Sequence, residues 1–171
     1  DDTTNTVNFY GACKLEAESR IRRQQVDFII ARTTVVYGWE QQGKNFVMQT
    51  IARLKRGELT KVAVDQVGTP TYVNNLAEAL LDLVGKGQRG VFNVVGPELM
   101  DRYTFAKLVA EVFDLPRNLL IPVRTAEIGQ KASRPLNAGM KIDKLRMVST
   151  VRMLPPKEGL MEMRDSKERS M

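Results

Sequence analysis

Val26-Asp-Phe-Ile-Ile-Ala-Arg-Thr-Thr-Val-Val-Tyr-Gly38 is an apolar, β-branched segment that stops at a glycine. This composition predicts a buried strand over residues 26–37. Helical patterns flank it, one from about residue 10 to residue 25 and one with apolar residues at helical spacing over 46–57. A strand between two helices is the repeating unit of a largely parallel sheet, so the segment predicts α/β architecture.

The same alternation continues along the chain. A strand is predicted over residues 61–65, a turn at Gly68-Thr69-Pro70, and a strand over 91–95. Asn74 or Asn75 could cap one further helix, with Leu76, Ala77, Leu80, Leu81 and Val84 as its apolar face, and Asp101 suits the cap of another. After Pro155-Pro156 we expect a short amphipathic stretch with a frayed charged end.

Composition excludes several classes of site. The single Cys13 allows no internal disulfide, and a chain without histidine has few ligands for zinc. No apolar run approaches the roughly 18 residues of a membrane span, and the polar start does not resemble a signal peptide, so the cytoplasm is the default compartment. The net charge of +6 invites a nucleic-acid interpretation, and basic residues cluster at Arg20, Arg22, Arg23 and at Arg53, Lys55, Arg56. Both clusters lie on predicted helices with acidic neighbours, which favours a solvated helix face over a nucleic-acid surface.

Tyr10 and Lys14 lie four residues apart and therefore share one face of the predicted first helix. A nearby ammonium favours a phenolate, so the pair suits a proton donor. The spacing alone is weak evidence because Tyr103 and Lys107 repeat it. The second pair, on an amphipathic helix with bulky Phe105 between its members, is interpreted as ordinary packing with a surface lysine.

Several motifs together resemble a known family. Asn8-Phe-Tyr-Gly-Ala-Cys-Lys-Leu-Glu-Ala-Glu18 resembles the catalytic helix of extended short-chain dehydrogenase/reductases, and Arg32-Thr-Thr-Val-Val-Tyr-Gly38 resembles the strand that follows it. Gly43-Lys-Asn-Phe46, Asp65-Gln-Val-Gly-Thr-Pro-Thr71, Arg134-Pro-Leu-Asn-Ala138 and Asp143-Lys-Leu145 are similar to segments of the dTDP-4-dehydrorhamnose reductases. The likeness spans roughly residues 8–145.

The resemblance implies the C-terminal part of a Rossmann-like doubly wound parallel sheet with a small substrate-binding subdomain. Its segments would be residues 1–42 of a cofactor-binding domain, 43–73 on the substrate side, 74–96 returning to the sheet, 97–154 as the subdomain, and 155–171 as a C-terminal helix and tail. None of the 12 glycines forms a GxGxxG cluster. The family's phosphate-binding glycines and its third catalytic residue, a Ser or Thr, would therefore lie upstream of this chain, which we expect to be inactive alone.

The resemblance also implies roles. Tyr10 would donate a proton to the C4 oxygen of a nucleotide-linked 4-keto sugar, while Lys14 would stabilise the phenolate and hold the nicotinamide ribose. The implied cofactor is NADPH or NADH, which Tyr10, Lys14, Arg32 and Thr33 would contact. The implied substrate residues are Asn45, Phe46, Gln66, Gly68, Thr69 and Arg134, with Arg134 suited to a pyrophosphate. The most favoured reaction is reduction of dTDP-4-dehydrorhamnose to dTDP-L-rhamnose, without a metal.

Other readings stay open. Asn45 could be a helix cap, Arg32 a salt-bridge partner, Gly68-Thr69-Pro70 a turn, and Arg134 an exposed side chain. Many relatives carry Trp where Val35 stands, which leaves the shape of the sugar pocket open. A non-catalytic regulatory protein on the same fold, like the regulatory subunit of methionine adenosyltransferase, is one alternative function, and a sugar-nucleotide epimerase is another.

The sequence also leads to expectations about partners and self-association. The resemblance leaves a homodimer open and implies neither a nucleic-acid nor a membrane partner. Without the first strands of the sheet, the chain would present an unpaired strand edge and apolar helix faces. We therefore expect it to be poorly soluble or to self-associate in isolation.

Overall fold

The computed structural model describes residues 6–168 and has an α/β architecture of short, mostly parallel strand pairs covered by helices. The helices are α1 (Phe9–Arg23), α2 (Phe46–Lys55), α3 (Val73–Gly85), α4 (Arg102–Val112), α5 (Asp143–Val148) and α6 (Pro156–Glu168). The strands are β1 (Ile29–Arg32), β2 (Val36–Tyr37), β3 (Thr60–Ala63), β4 (Val67–Gly68), β5 (Thr71–Tyr72), β6 (Gly90–Asn93), β7 (Met100–Asp101), β8 (Leu120–Val123) and β9 (Asn137–Ala138). The α/β prediction is confirmed.

Strand pairing joins distant parts of the chain. Parallel pairs form between β1 and β6, β2 and β5, and β3 and β8, while β4 lies between antiparallel β7 and parallel β9. Among residues 6–168, β1 pairs with β6 alone. Parallel neighbours require long crossover connections, here made by the helices, which is why consecutive strands are rarely partners.

The main core lies where α2, α4 and α6 meet β2 and β5. It contains Tyr37, Val47, Phe105, Val109, Leu160 and Met163, each at most 1% exposed. Gly159 allows α6 to approach closely, because a side chain there would collide with the Tyr37 hydroxyl. That hydroxyl donates a hydrogen bond to the carbonyl of Pro156 at 3.2 Å. The stretch after Pro155 is therefore a 13-residue packed helix, longer and more buried than the sequence predicts.

The predicted strand over residues 26–37 is wrong in extent. Two strands replace it, and Val26 is 64% exposed. Val35 separates them with φ +50°, a left-handed conformation that a β-branched residue seldom adopts. The break turns the chain so that residues 33–35 form a wall, which belongs to the candidate site.

The predicted cap of α3 is wrong, and its predicted apolar face is right only for Leu76 and Leu80, which pack against the core. The helix begins at Val73, one residue before Asn74, with no side-chain cap at Tyr72. Asn75 is instead buried inside the helix, where its carbonyl oxygen accepts from the Leu154 amide at 2.7 Å and its amide group donates to the Arg152 carbonyl. The buried apolar positions are Ala79 and Leu83, whereas Leu81 and Val84 are exposed.

Two predicted caps are confirmed. The side chain of Asp101 accepts a hydrogen bond from the Thr104 amide at 2.9 Å and starts α4. Asn45 does the same for α2, accepting from the Met48 amide at 3.1 Å. None of the helices within residues 6–168 has the length and apolar character that crossing a bilayer requires.

Candidate active site

The start of α1 brings Tyr10 and Lys14 together. The Asn8 side chain accepts a hydrogen bond from the Gly11 amide at 2.8 Å and caps the helix. Its amide group also donates to the carbonyl of Ser133, at 2.8 Å, so the cap lies against the segment that precedes Arg134. One turn into the helix, the Lys14 ammonium lies 5.4 Å from the centroid of the Tyr10 ring.

A cavity of about 460 Å³, here called the tyrosine cavity, opens beside Tyr10. Gly11, Thr33, Thr34 and Val35 line it together with the tyrosine. Hydrogen bonds fix the wall at residues 33–35, since the carbonyls of Thr34 and Val35 accept from the hydroxyl and amide of a single residue, Thr71. The break between β1 and β2 therefore places polar Thr33 and Thr34 on the same cavity as Tyr10.

A second cavity, of about 470 Å³ and here called the basic cavity, lies between α2, β3 and the segment around residue 130. Its lining contains five cationic side chains, Lys44, Arg53, Lys61, Arg102 and Arg134. No Asp or Glu lines it in the part of the chain that the structure describes. A concave site with this charge is suited to a ligand that carries several negative charges.

The two cavities share a wall formed by Gln66, Arg102 and Arg134. Gln66 is held by donating to the Thr125 hydroxyl and to the Gln130 side chain, both at 3.1 Å. Asp65 accepts from the hydroxyl and the amide of Thr125, and these hydrogen bonds lower the pKa of its carboxyl. The predicted Asp65-Gln66 segment thus fastens the 125–130 segment over the shared wall.

Arg102 is a residue of this wall that the sequence did not single out. It is the first residue of α4, and its guanidinium lies 4.9 Å from the centroid of the Phe46 ring. Burial lowers the pKa of Arg102, and the neighbouring charge of Arg134 lowers it further. Two guanidinium groups therefore face the same space, and neither has a carboxylate partner among the described residues.

Some of the predicted residues come together and others do not. Thr33 and Arg134 lie with Tyr10 on the tyrosine cavity, and Phe46 lies with Gln66 and Arg134 on the basic cavity. Asn45 lines neither of these cavities. Its amide nitrogen donates to the carbonyl of Gly38 at 2.9 Å while its oxygen caps α2.

Gly68 and Thr69 also lie outside the two linings. Gly68 is in β4, where a side chain would come within 3.1 Å of Val35, so glycine allows the wall to approach closely. Thr69 is 3% exposed and lines a separate cavity together with Asn137 and Gly139. Its hydroxyl has no hydrogen-bond partner within the described residues.

Arg32 lies at the end of β1, where it holds α1 to the sheet. Its guanidinium donates to both carboxylate oxygens of Glu18, at 2.7 and 2.9 Å. The hydrogen bond from Arg32 lowers the pKa of Glu18. Within residues 6–168, no group of three or more potential metal ligands is found.

Comparisons with known proteins give this geometry a context. A family model described as the RmlD substrate binding domain matches residues 1–168. The spore coat polysaccharide biosynthesis protein SpsK of Bacillus subtilis is 33% identical over 135 residues, which are 79% of this chain and 46% of that protein. Methionine adenosyltransferase 2 subunit beta of Danio rerio is 28% identical over 155 residues, which are 86% of this chain and 48% of that protein.

A solved structure is similar to this chain over nearly its whole length. The crystal structure of dTDP-4-dehydrorhamnose reductase from Bacillus anthracis in complex with NADP superposes with a TM-score of 0.89 at 28% identity. The match covers 96% of this chain and 58% of that one. The chain spans about half the length of the relatives that it matches.

Proposed function

Because this chain belongs to the RmlD substrate binding domain family, we propose that it forms the substrate-binding and proton-donating part of a reductase. The proposed reaction is NAD(P)H-dependent reduction of a nucleotide-linked 4-keto sugar, with dTDP-4-dehydrorhamnose as the favoured substrate. One observation carries the proposal: the cavity beside Tyr10 and the basic cavity share the wall that contains Arg134. A proton donor and an anion site thus lie along one surface.

The proposed arrangement of the substrate follows from the two linings. The keto sugar would occupy the tyrosine cavity, with its C4 oxygen directed to the Tyr10 hydroxyl. Its diphosphate would lie against Arg134, whose planar guanidinium is suited to phosphate oxygens. The nucleoside would extend into the basic cavity along Phe46, which lines that cavity.

Proton transfer in this proposal belongs to Tyr10. The nicotinamide cofactor supplies a hydride to the carbonyl carbon when it is bound. Tyr10 donates its proton to the carbonyl oxygen, so that the ketone becomes an alcohol. The ammonium of Lys14, 5.4 Å from the Tyr10 ring centroid, stabilises the phenolate that remains.

The described residues fit one end of such a cofactor. Tyr10 and Lys14 are exposed on α1 beside Gly11, which has no side chain, and Ala12, which has a small one, so a flat group has room there. Thr33 offers a hydroxyl on the same cavity. Because the Arg32 guanidinium is held by Glu18, we base the proposed cofactor contacts on Tyr10, Lys14 and Thr33.

A regulatory role on the same fold is the second candidate. It is favoured by the similarity to methionine adenosyltransferase 2 subunit beta, which extends over 86% of this chain. The Asp65-Gln66 segment favours the reductase, because its contacts with Thr125 and Gln130 support the wall of a ligand site. A regulatory subunit would not require a site for a sugar nucleotide.

Isotope transfer separates the two candidates. The protein in its longest natural form would be given dTDP-4-dehydrorhamnose and NADPH deuterated at the transferred position. We expect one deuterium at C4 of the sugar for each NADPH oxidised. NADPH binding without oxidation, together with altered kinetics of an added methionine adenosyltransferase, would instead support the regulatory role.

A further inference from the structure

Arg102 lies at the junction of the tyrosine cavity and the basic cavity. Its backbone amide donates to the carbonyl of Gln66 at 3.0 Å, which fixes the start of α4 against the shared wall. Its guanidinium lies over the ring of Phe46, and that ring is stacked on Phe105 with 5.6 Å between the centroids. Because Phe105 is 1% exposed, the Phe46 ring under the guanidinium rests on a buried residue of the core.

The electrostatic surroundings of Arg102 are unfavourable without a ligand. Within residues 6–168 its side chain forms neither an ion pair nor a hydrogen bond, although it is half-buried. Arg134 adds a second positive charge, and the start of a helix carries a partial positive charge of its own. By contrast, Arg32 and Arg117 are each matched by a glutamate. The Phe46 ring compensates for part of this cost, and an anion would compensate for the rest on binding.

We propose that Arg102 is a positioning and specificity residue that forms a diphosphate clamp together with Arg134. The inference rests on the proposed function and deepens it, since it adds a second residue, Arg102, to the diphosphate contact proposed above for Arg134. Two guanidinium groups on one wall match the charges of two phosphates, and each can donate two parallel hydrogen bonds. The site therefore prefers sugars linked to a nucleoside diphosphate over those linked to a monophosphate.

Arg102 differs from the other cations of the basic cavity in ways that suit this role. Lys44, Arg53 and Lys61 are exposed and line only the basic cavity. Arg102 lines both cavities, where the link between sugar and nucleoside would pass. Phe46 fixes its position in advance, and this lowers the entropic cost of binding.

The test measures ligand affinity and thermal unfolding of the protein in its longest natural form, with dTDP and with dTMP as probes. Arg102→Met keeps an unbranched stem that can pack on Phe46 but removes the charge. We expect the melting temperature of the unliganded variant to rise. Its affinity for dTDP should fall about tenfold to a hundredfold, because one or two charge-assisted hydrogen bonds are lost. Its affinity for dTMP should change much less. Arg56→Met, at an exposed arginine paired with Glu58, is the matched control and should change neither affinity.

Several outcomes would overturn the clamp. A lower melting temperature with unchanged dTDP affinity would make Arg102 a structural residue. An unchanged ratio of dTDP to dTMP affinity in Arg102→Met would remove the proposed selectivity. Failure of the reductase proposal would give a different result. If the protein prefers dTDP through Arg102 but transfers no hydride, the diphosphate clamp stands and the reductase proposal is wrong. If Arg102→Met transfers hydride with an unchanged KM for the sugar nucleotide, the reductase proposal stands and the clamp is wrong.

Discussion

Helices α1 and α4 carry the same pair of residues in different surroundings. Each has a tyrosine followed four residues later by a lysine, with the ammonium 5.4 Å from the ring centroid in α1 and 5.0 Å in α4. However, α4 buries five of its residues, whereas α1 buries none. Tyr103 packs against the cluster around Leu54, while Tyr10 is 69% exposed beside a cavity with two arginines. The comparison teaches that surroundings, and not the local contact, distinguish a candidate catalytic pair from a packed one.

The largest expected effect concerns stability. Phe105→Ala in α4 should lower the free energy of unfolding by about 3–5 kcal/mol, because the ring is fully buried between Tyr37 and Phe46. Ile21→Ala in α1, at a side chain that is 39% exposed, should cost less than about 1 kcal/mol. Urea unfolding of both variants measures the difference. Equal costs would show that α1 is packed as firmly as α4.

The second prediction compares the effects of Lys14 and Lys107 on catalysis. In the natural form of the protein, Lys14→Met should lower kcat/KM for reduction of the keto sugar about 100-fold, because the phenolate loses its cation. Lys107→Met removes the same charge from the equivalent contact in α4 and should leave kcat/KM within about twofold of its original value. Steady-state NADPH oxidation provides both numbers. Similar losses from both variants would mean that the α1 pair has no special role.

The two helix caps give a smaller effect. Asp101→Ala should lower the free energy of unfolding by about 1 kcal/mol, since the Thr104 amide loses its partner within a packed helix. Asn8→Ala removes a similar hydrogen bond from α1 but should affect mainly local opening of that helix. Hydrogen exchange of the two helices, combined with urea unfolding, separates the local effect from the global one. A global loss from Asn8→Ala as large as that from Asp101→Ala would contradict this expectation.

The smallest effect is pH-dependent and concerns the attachment of α1. Arg32 holds the folded pKa of Glu18 below its ordinary value of 4.5, so the ion pair stabilises the folded state above that pH. The contribution is lost as the pH falls below about 4.5 and through the folded pKa. Glu18→Gln should therefore destabilise the chain by less than about 1 kcal/mol at pH 7, and the difference should shrink in acid.

A control for this effect lies two residues earlier on the same helix. Glu16 pairs with Arg20 on the exposed side of α1, and Glu16→Gln should leave the melting temperature almost unchanged at both pH values. Melting curves at pH 7 and pH 3.5 for the two variants make the measurement. A larger shift from Glu16→Gln than from Glu18→Gln would mean that the Arg32 contact does not hold α1 in place.

Local patterns predicted much of the fold. Apolar periodicity predicted α2 and α4, and the alternation of strands with helices predicted the α/β class. The caps Asn45 and Asp101 follow from short-range rules. The strand β8 was missed because it pairs with β3 across about 60 residues, a partnership with no local signal. The break at Val35 was missed because a β-branched residue is a poor candidate for positive φ.

The candidate site was predicted only where a motif marks it. Tyr10, Gln66 and Arg134 belong to segments that resemble a family, and the structure places all three on one cavity. Arg102 follows a capping residue at the start of a helix and reads as an ordinary surface cation. Only tertiary structure brings it over Phe46 and beside Arg134. A cation that lies beside another cation and has no acidic partner indicates an anion site, and this arrangement can be recognised only in the three-dimensional structure.

Turnover by Tyr10→Phe and Tyr103→Phe, measured side by side in the natural form of the protein with NADPH and dTDP-4-dehydrorhamnose, tests the central claim most directly. Both variants lose one hydroxyl, and both tyrosines have a lysine over the ring. Removal of a general acid predicts a loss of about 10²- to 10⁴-fold for Tyr10→Phe, against near-normal turnover for Tyr103→Phe. Undiminished turnover in Tyr10→Phe would contradict the assignment of Tyr10 as the proton donor.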